Sequence, residues 1–160
     1  MSEGYTVIVD TREKIPMKFN KSKYCAGSIV EKLDSGDYSL WGLEDLVTLE
    51  RKMTVSELAQ NIMQDRFHRE LDRLTEYEHA IVLCEFSFND LLKFPYNSGL
   101  PKSTMKRIRV KGEFLQRKVL EITLDYGIPV HYAGNAENAK KYANVFFKSI
   151  WKKYKPRDEE

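Results

Sequence analysis

The chain has 160 residues, of which 42% are apolar and 31% charged, with a formal net charge of +2 at pH 7 and a mean hydropathy of -0.53. That is enough for one domain with its own core, and it excludes a disordered, collagenous or membrane-spanning chain. Two widely separated cysteines, Cys25 and Cys84, with no Cys-x-x-Cys, exclude a disulfide scaffold and a zinc knuckle and favour a reducing, intracellular setting.

In chain order, Thr6-Val7-Ile8-Val9 is β-branched and continuous, a buried strand ending at Asp10. A loop or short helix then runs through Lys14-Ile15-Pro16 to about Lys32. Leu33-Asp34-Ser35-Gly36-Asp37 has turn chemistry. Tyr38–Trp41 and Leu46–Glu50 read as an antiparallel pair joined through Gly42. Thr54-Val55-Ser56-Glu57 has the form of a capping box. The helix it opens carries Val55, Leu58, Ala59, Ile62, Met63, Phe67, Leu71 and Leu74 as one apolar stripe. Ala80–Cys84 is another buried strand, ending at Glu85. Asn89–Phe94 reads as a short helix closed by Pro95, and Tyr96–Thr104 as a loop. Met105–Tyr126 reads as a helix weakened by Gly112 and ended by Gly127. Ile128–Tyr132 is the last strand. Asn135 caps a final helix with Ala139, Tyr142, Ala143, Phe146, Phe147, Ile150 and Trp151 on one face. The pattern predicts an α/β domain, a central mixed sheet flanked by helices.

Charge is uneven along this frame. Positions 1–100 hold 12 Lys/Arg against 17 Asp/Glu, and positions 101–160 hold 14 against 7. An acidic front and a basic back suit a protein that gathers cations at one place and a polyanion at another, although a lysine-rich solvated surface is the plainer account. The acids fall at strand ends: Asp10 after the first strand, Asp37 opening the second, Glu50 closing the third. Lys52 lies two residues beyond Glu50, so an extended backbone puts both on one face. Carboxylates converging at a sheet edge repel, and a divalent cation relieves that cost by taking their oxygens as ligands. Taken singly, each acid has a plain structural reading as a turn residue or a helix partner.

The longer string is more specific. Gly36-Asp37, a strand-length gap and Glu50-Arg51-Lys52 together resemble the signature of the XPF-type structure-specific endonucleases, G-D-x(n)-E-R-K-x-x-x-D. Val9-Asp10-Thr11-Arg12-Glu13 resembles the opening D-x-R-E of that family, and Arg66-Phe67 through Glu70 to Arg73-Leu74 its following helix. The resemblance covers about Val7 to Tyr154. It implies a restriction-endonuclease-like, PD-(D/E)XK-type nuclease core over a single domain, 1–160, that hydrolyses DNA with Mg²⁺ or Mn²⁺. Asp37, Glu50 and Asp10 would be metal ligands and active-site acids, Lys52 the catalytic lysine, and Arg66 a residue turned toward the scissile phosphate. Arg51, Arg12 and Glu13 would form the shell around them. In-line attack by water would leave a 5′-phosphate.

Two features depart from the family pattern. Its last acid should fall at Ser56, whereas the acid here is Glu57, already accounted for by the capping box. The helix-hairpin-helix repeats that follow the core in relatives have no counterpart, so a partner chain or a stand-alone minimal nuclease of viral type is expected. The run Lys102, Lys106, Arg107, Arg109 and Lys111 is a candidate DNA-binding arm, with Phe94 and Tyr96 able to stack on an unpaired base. Its plain alternative is a solvated helix face. Lys152-Lys153-Tyr154-Lys155-Pro156-Arg157 reads as a solubilising tail. His68, His79 and His131 match no ligand spacing, Cys84 reads as core filling, and the aromatic face of the last helix reads as core with a homodimer interface as runner-up. The expected function is a metal-dependent DNA endonuclease acting on branched, flap or junction DNA, with no membrane association. The alternatives are a non-catalytic nuclease-fold subunit that binds DNA and, more weakly, a nuclease acting on RNA or on linear DNA ends.

Overall fold

The computed structural model describes residues 4–155. Six strands, β1 (Tyr5–Val9), β2 (Cys25–Val30), β3 (Tyr38–Leu40), β4 (Val47–Lys52), β5 (His79–Cys84) and β6 (Val130–Tyr132), form one sheet in the order β2-β1-β3-β4-β5-β6. The sheet is mixed. β3 runs antiparallel to both β1 and β4, while β1–β2, β4–β5 and β5–β6 are parallel. Side chains alternate across each strand, and the two faces therefore bury separate cores. Ala80, Val82 and Cys84 pack beneath helices α1 (Val55–Asn61), α2 (Asp65–Leu74), α3 (Phe88–Lys93) and α5 (Gly112–Tyr126). On the other face Ile81 and Leu83, with Val7, Val9, Tyr38 and Leu49, pack beneath α6 (Ala136–Tyr154) through Ala139, Ala143, Phe147 and Ile150. The expected sheet flanked by helices is present. Among the described residues no helix is long and apolar enough to cross a membrane.

Three local expectations are corrected. The segment expected as a loop or helix to Lys32 contains β2, an edge strand of weak intrinsic preference (Ala26, Gly27, Ser28) that exists because β1 offers it a parallel partner. The long helix after Thr54 is two helices. His68 accounts for the break: one of its ring nitrogens bonds the Ile62 carbonyl at 3.0 Å and the other bonds the Tyr126 hydroxyl at 3.1 Å. Met63, expected in the apolar stripe, is exposed at the resulting bend. The helix expected from Met105 is split into α4 (Lys102–Arg107) and α5, and Gly112 opens α5 rather than weakening its middle. A side chain at Gly112 would overlap the Leu92 backbone carbonyl, so glycine permits α3 and α5 to touch. Cys84 is buried core, as expected, with burial pushing its thiol up to about 12.

Candidate active site

The register of β4 decides which charged side chains meet. Glu50 pairs with Val82 and Lys52 with Cys84, on the α1/α2 face, whereas Arg51 pairs with Leu83 on the α6 face. Asp37, just before β3, is fixed through its main chain. Its N–H donates to the Leu49 carbonyl at 2.9 Å, and its carbonyl accepts from the Asp10 N–H at 2.9 Å. Gly36 before it has φ +80°, and a Cβ there would collide with Thr48 Oγ1, so the Gly-Asp step needs glycine on both counts. The Asp37 carboxylate accepts the Arg51 N–H at 2.7 Å.

These side chains line a cavity of about 240 Å³ shared by Asp37, Glu50, Lys52, Glu57, Arg12, Asn61, Gln64, Arg66, Phe67 and Glu70. Lys52 Nζ donates to Asn61 Oδ1 at 2.8 Å, is 3.2 Å from Glu50 Oε1 and 3.8 Å from Glu57 Oε1, and sits 4.9 Å from the centre of the Phe67 ring. Glu50 Oε2 is buried and has no hydrogen-bond partner among the described residues. Burial pushes the Asp37 carboxyl up to about 7 against the opposing pull of the Arg51 N–H, and burial with the Asp37 charge raises Glu50 well above the usual carboxylate range. Burial alone would lower Lys52, but Glu50 and Glu57 outweigh it and hold the ammonium above its ordinary value.

Hard oxygen donors held close, one without a partner and both resisting ionisation, fit a divalent cation. Among the described residues no group of three or more acids, histidines or cysteines stands in ready-made ligand geometry. An ion held by Asp37 and Glu50 would therefore keep water in several positions, as Mg²⁺ commonly does.

Of the residues expected at the site, Asp37, Glu50, Lys52, Arg66 and Arg12 are brought together around the cavity. Asp10 and Arg51 are not. Both Asp10 oxygens are taken, Oδ1 by the Leu33 N–H at 2.8 Å and Oδ2 by Arg12 Nε at 2.7 Å and the Arg12 N–H at 3.2 Å. Burial works to raise Asp10, but these donors outweigh it and leave the carboxyl below its ordinary value. It shapes the loop that carries Arg12 rather than facing the cavity. The Arg51 guanidinium lies on the opposite face of the sheet, bonded to Glu85 at 2.7 and 2.9 Å, to Glu13 at 3.1 Å, to the Tyr38 hydroxyl at 3.2 Å and to the Ile15 carbonyl. Glu13 is thus a partner of Arg51, away from the cavity.

Glu57 lines the cavity while closing the start of α1. Its N–H donates to Thr54 Oγ1 at 3.1 Å, and its Oε2 accepts the Met53 N–H at 3.0 Å, one residue earlier than in the expected capping box. Asn61, Gln64, Phe67 and Glu70 were missed as cavity residues. Asn61 lies one helical turn after Glu57 on α1 and so shares its face, a signal the helical repeat offered, and Gln64 stands at the N-cap of α2. Lys102, Lys106, Arg107, Arg109 and Lys111 are exposed on α4 and the segment after it, outside the cavity lining. Ile108 and Val110 between them pack on the core, which makes this a seated segment rather than a free arm. Phe94 is buried and unavailable for stacking; Tyr96 is exposed.

The profile of the ERCC4 domain matches residues 9–146. Two solved structures of XPF from Aeropyrum pernix share the fold. One has a TM-score of 0.61 at 22% identity, covering 94% of this chain and 66% of that one. The other, a complex with DNA, has a TM-score of 0.63 at 21% identity, covering 98% and 68%. A protein of Methanocaldococcus jannaschii named "Putative ATP-dependent RNA helicase MJ1505" is 30% identical over 131 residues, 82% of this chain but only 14% of its own length. With the profile spanning both the Gly-Asp and the Glu-Arg-Lys segments, the chain belongs to the ERCC4 domain family.

Proposed function

We propose that the chain hydrolyses phosphodiester bonds of DNA with Mg²⁺ or Mn²⁺, acting on branched, flap or junction substrates. The observation that carries this reading is the buried Oε2 of Glu50, without a partner among the described residues, beside Asp37 and on the face that also presents the Lys52 ammonium. Asp37 and Glu50 would hold the ion, which would supply a nucleophilic water at neutral pH and offset charge on the phosphoryl oxygens. The protein's own part is positional. Asp37 and Glu50 hold oxygens at one rim of the sheet. Lys52, fixed by Asn61 and Glu50, presents positive charge where the phosphate becomes more negative, at no cost of reorganisation. Arg66 and Arg12, also lining the cavity, bring the substrate backbone to it. The exposed bases from Lys102 to Lys111 add sequence-independent contacts to the duplex. DNA as the polyanion is supported by the A. pernix XPF complex with DNA.

The test is a labelled panel of flap, fork, nicked and Holliday substrates, each incubated with the purified chain and Mg²⁺ or Mn²⁺. Cleavage of a branched substrate is expected, and Lys52→Ala should slow it by roughly 10²–10³-fold with the fold intact. Binding without cutting by the unmodified chain would make it a non-catalytic DNA-binding subunit. Preference for an RNA strand in the same substrates would move it to another substrate class.

A further inference from the structure

A second cationic site stands at the opposite end of the sheet and on its other face. Tyr24 precedes β2, beside the start of β1 rather than the Asp10 end, and the last turns of α6 cover it from the α6 face. Three ammonium groups converge on its ring: Lys148 Nζ at 4.1 Å from the centroid, Lys152 at 4.9 Å and Lys23 at 5.3 Å. Among the described residues none of the three has a carboxylate within ion-pair distance. By contrast Lys141, two turns earlier on α6, is 3.4 Å from Glu137.

Lys148 and Lys152 are four residues apart, a like-charge spacing that disfavours a helix, and Lys23 from a distant segment adds a third charge to the same spot. Contact with an aromatic face repays only a fraction of that repulsion. The same ammoniums, Lys23 foremost, draw the Tyr24 phenol below its ordinary value, so even this hydroxyl responds to an excess of positive charge. Anions relieve such a cluster as cations relieve paired carboxylates. Where the chain handles a polyanion, the phosphates of that polymer are the fitting ligand.

We propose that Lys23, Lys148 and Lys152, gathered around Tyr24, form a phosphate-binding site for a nucleic-acid backbone, separate from the catalytic cavity. The choice of nucleic acid rests on the DNA reading above. Because the site lies across the sheet from Lys52, it serves affinity and not chemistry, and it holds a stretch of backbone other than the one being cut. The basic end of α6, read from sequence as a solubilising tail, acquires a ligand; Pro156 and Arg157 of that run lie outside the described residues.

The experiment measures binding of the full chain to a labelled duplex as a function of salt, without divalent cation, so that cutting does not enter. Loss of two phosphate contacts in the double variant Lys148→Gln/Lys152→Gln should flatten the slope of log affinity against log salt by about two. The control Lys140→Gln/Lys141→Gln removes equal charge from the same helix outside the cluster and should flatten it by less. An unchanged slope in the first variant overturns the proposal, as does an equal loss in the control. Binding of the unmodified chain to phosphatidylserine vesicles but not to DNA overturns it in favour of a membrane surface. Lysine-dependent binding by a chain that never cuts sustains this site while removing the catalytic reading.

Discussion

Strand β4 carries charge on both its faces, and the two sides are finished differently. On the α6 face Arg51 meets Glu85, Glu13, the Tyr38 hydroxyl and a main-chain carbonyl, so its donors are used. On the α1/α2 face, one residue earlier, Glu50 keeps an oxygen with no partner among the described residues, and Asp37 beside it is pushed up to about 7. Burial is comparable; completeness is not. A closed network of buried charge is spent on specifying the fold, whereas an open one has capacity left for something that arrives from solution.

The largest expected effect breaks the closed side. Arg51→Met leaves Glu85 buried without its cation and should destabilise the protein by about 3–5 kcal/mol in urea unfolding. An effect under ~1 kcal/mol would mean that the network contributes little to the fold. The open side should behave in the reverse way. Asp37→Asn removes a charge that burial opposes, so metal-free stability at neutral pH should rise while divalent-dependent cleavage is lost. Stability falling along with activity would undo the contrast.

The pH dependence sharpens the same point. A carboxyl that binds its proton more tightly folded than unfolded favours the fold below its unfolded value, near 3.8 for Asp37, and that advantage drains away as the pH climbs to about 7. Glu50 works in the same sense, whereas Asp10, held below its ordinary value, works in the opposite one and at lower pH. The metal-free chain should therefore lose stability between roughly pH 4 and pH 7, Asp37→Asn should lose less, and millimolar Mg²⁺ should restore it. A flat profile in the unmodified chain would show that the two carboxylates find other relief.

A smaller effect is expected at Asn61, which holds Lys52 at 2.8 Å. Asn61→Ala should lower the cleavage rate about tenfold at saturating DNA, with the dependence on DNA concentration unchanged, the loss of roughly one charge-assisted hydrogen bond. The smallest belongs to Glu57. Its carboxylate is largely committed to the Met53 N–H, so Glu57→Gln should change cleavage by less than ~threefold. A loss as large as that for Asp37 would make it a ligand after all.

The parts of this arrangement legible in sequence were those set by backbone period and turn chemistry. β1, the β3–β4 pair and β5 announce themselves as apolar or alternating runs, and Glu50 and Lys52 share a face by the two-residue repeat. The same repeat sends Arg51 to the other face, although the resemblance had grouped it with its neighbours. β2 was hidden because nothing in Cys25–Val30 favours a strand until β1 is beside it. The bend at 62–64 was hidden because apolar spacing continues across it, while its cause is His68 reaching Ile62 and a tyrosine 58 residues downstream. Asn61 was within reach of the helical repeat after Glu57, whereas Lys23 met Lys148 and Lys152 only through tertiary packing. Side-chain meetings of this kind are absent from local pattern.

Asp37 is riveted at both edges of its peptide, one rivet on Leu49 and the other on Asp10. A surface aspartate crowded by another acid would simply swing into solvent. This one is held back, since its carboxylate accepts the Arg51 N–H and its backbone step is preset by Gly36. The Lys52 ammonium meets part of the tension between the two acids, and the rest is open to discharge by an incoming proton or metal ion. On the proposed metal-dependent reading a proton would silence the site and a metal ion would arm it, so acidity and divalent-ion supply would become competing hands on a single lever.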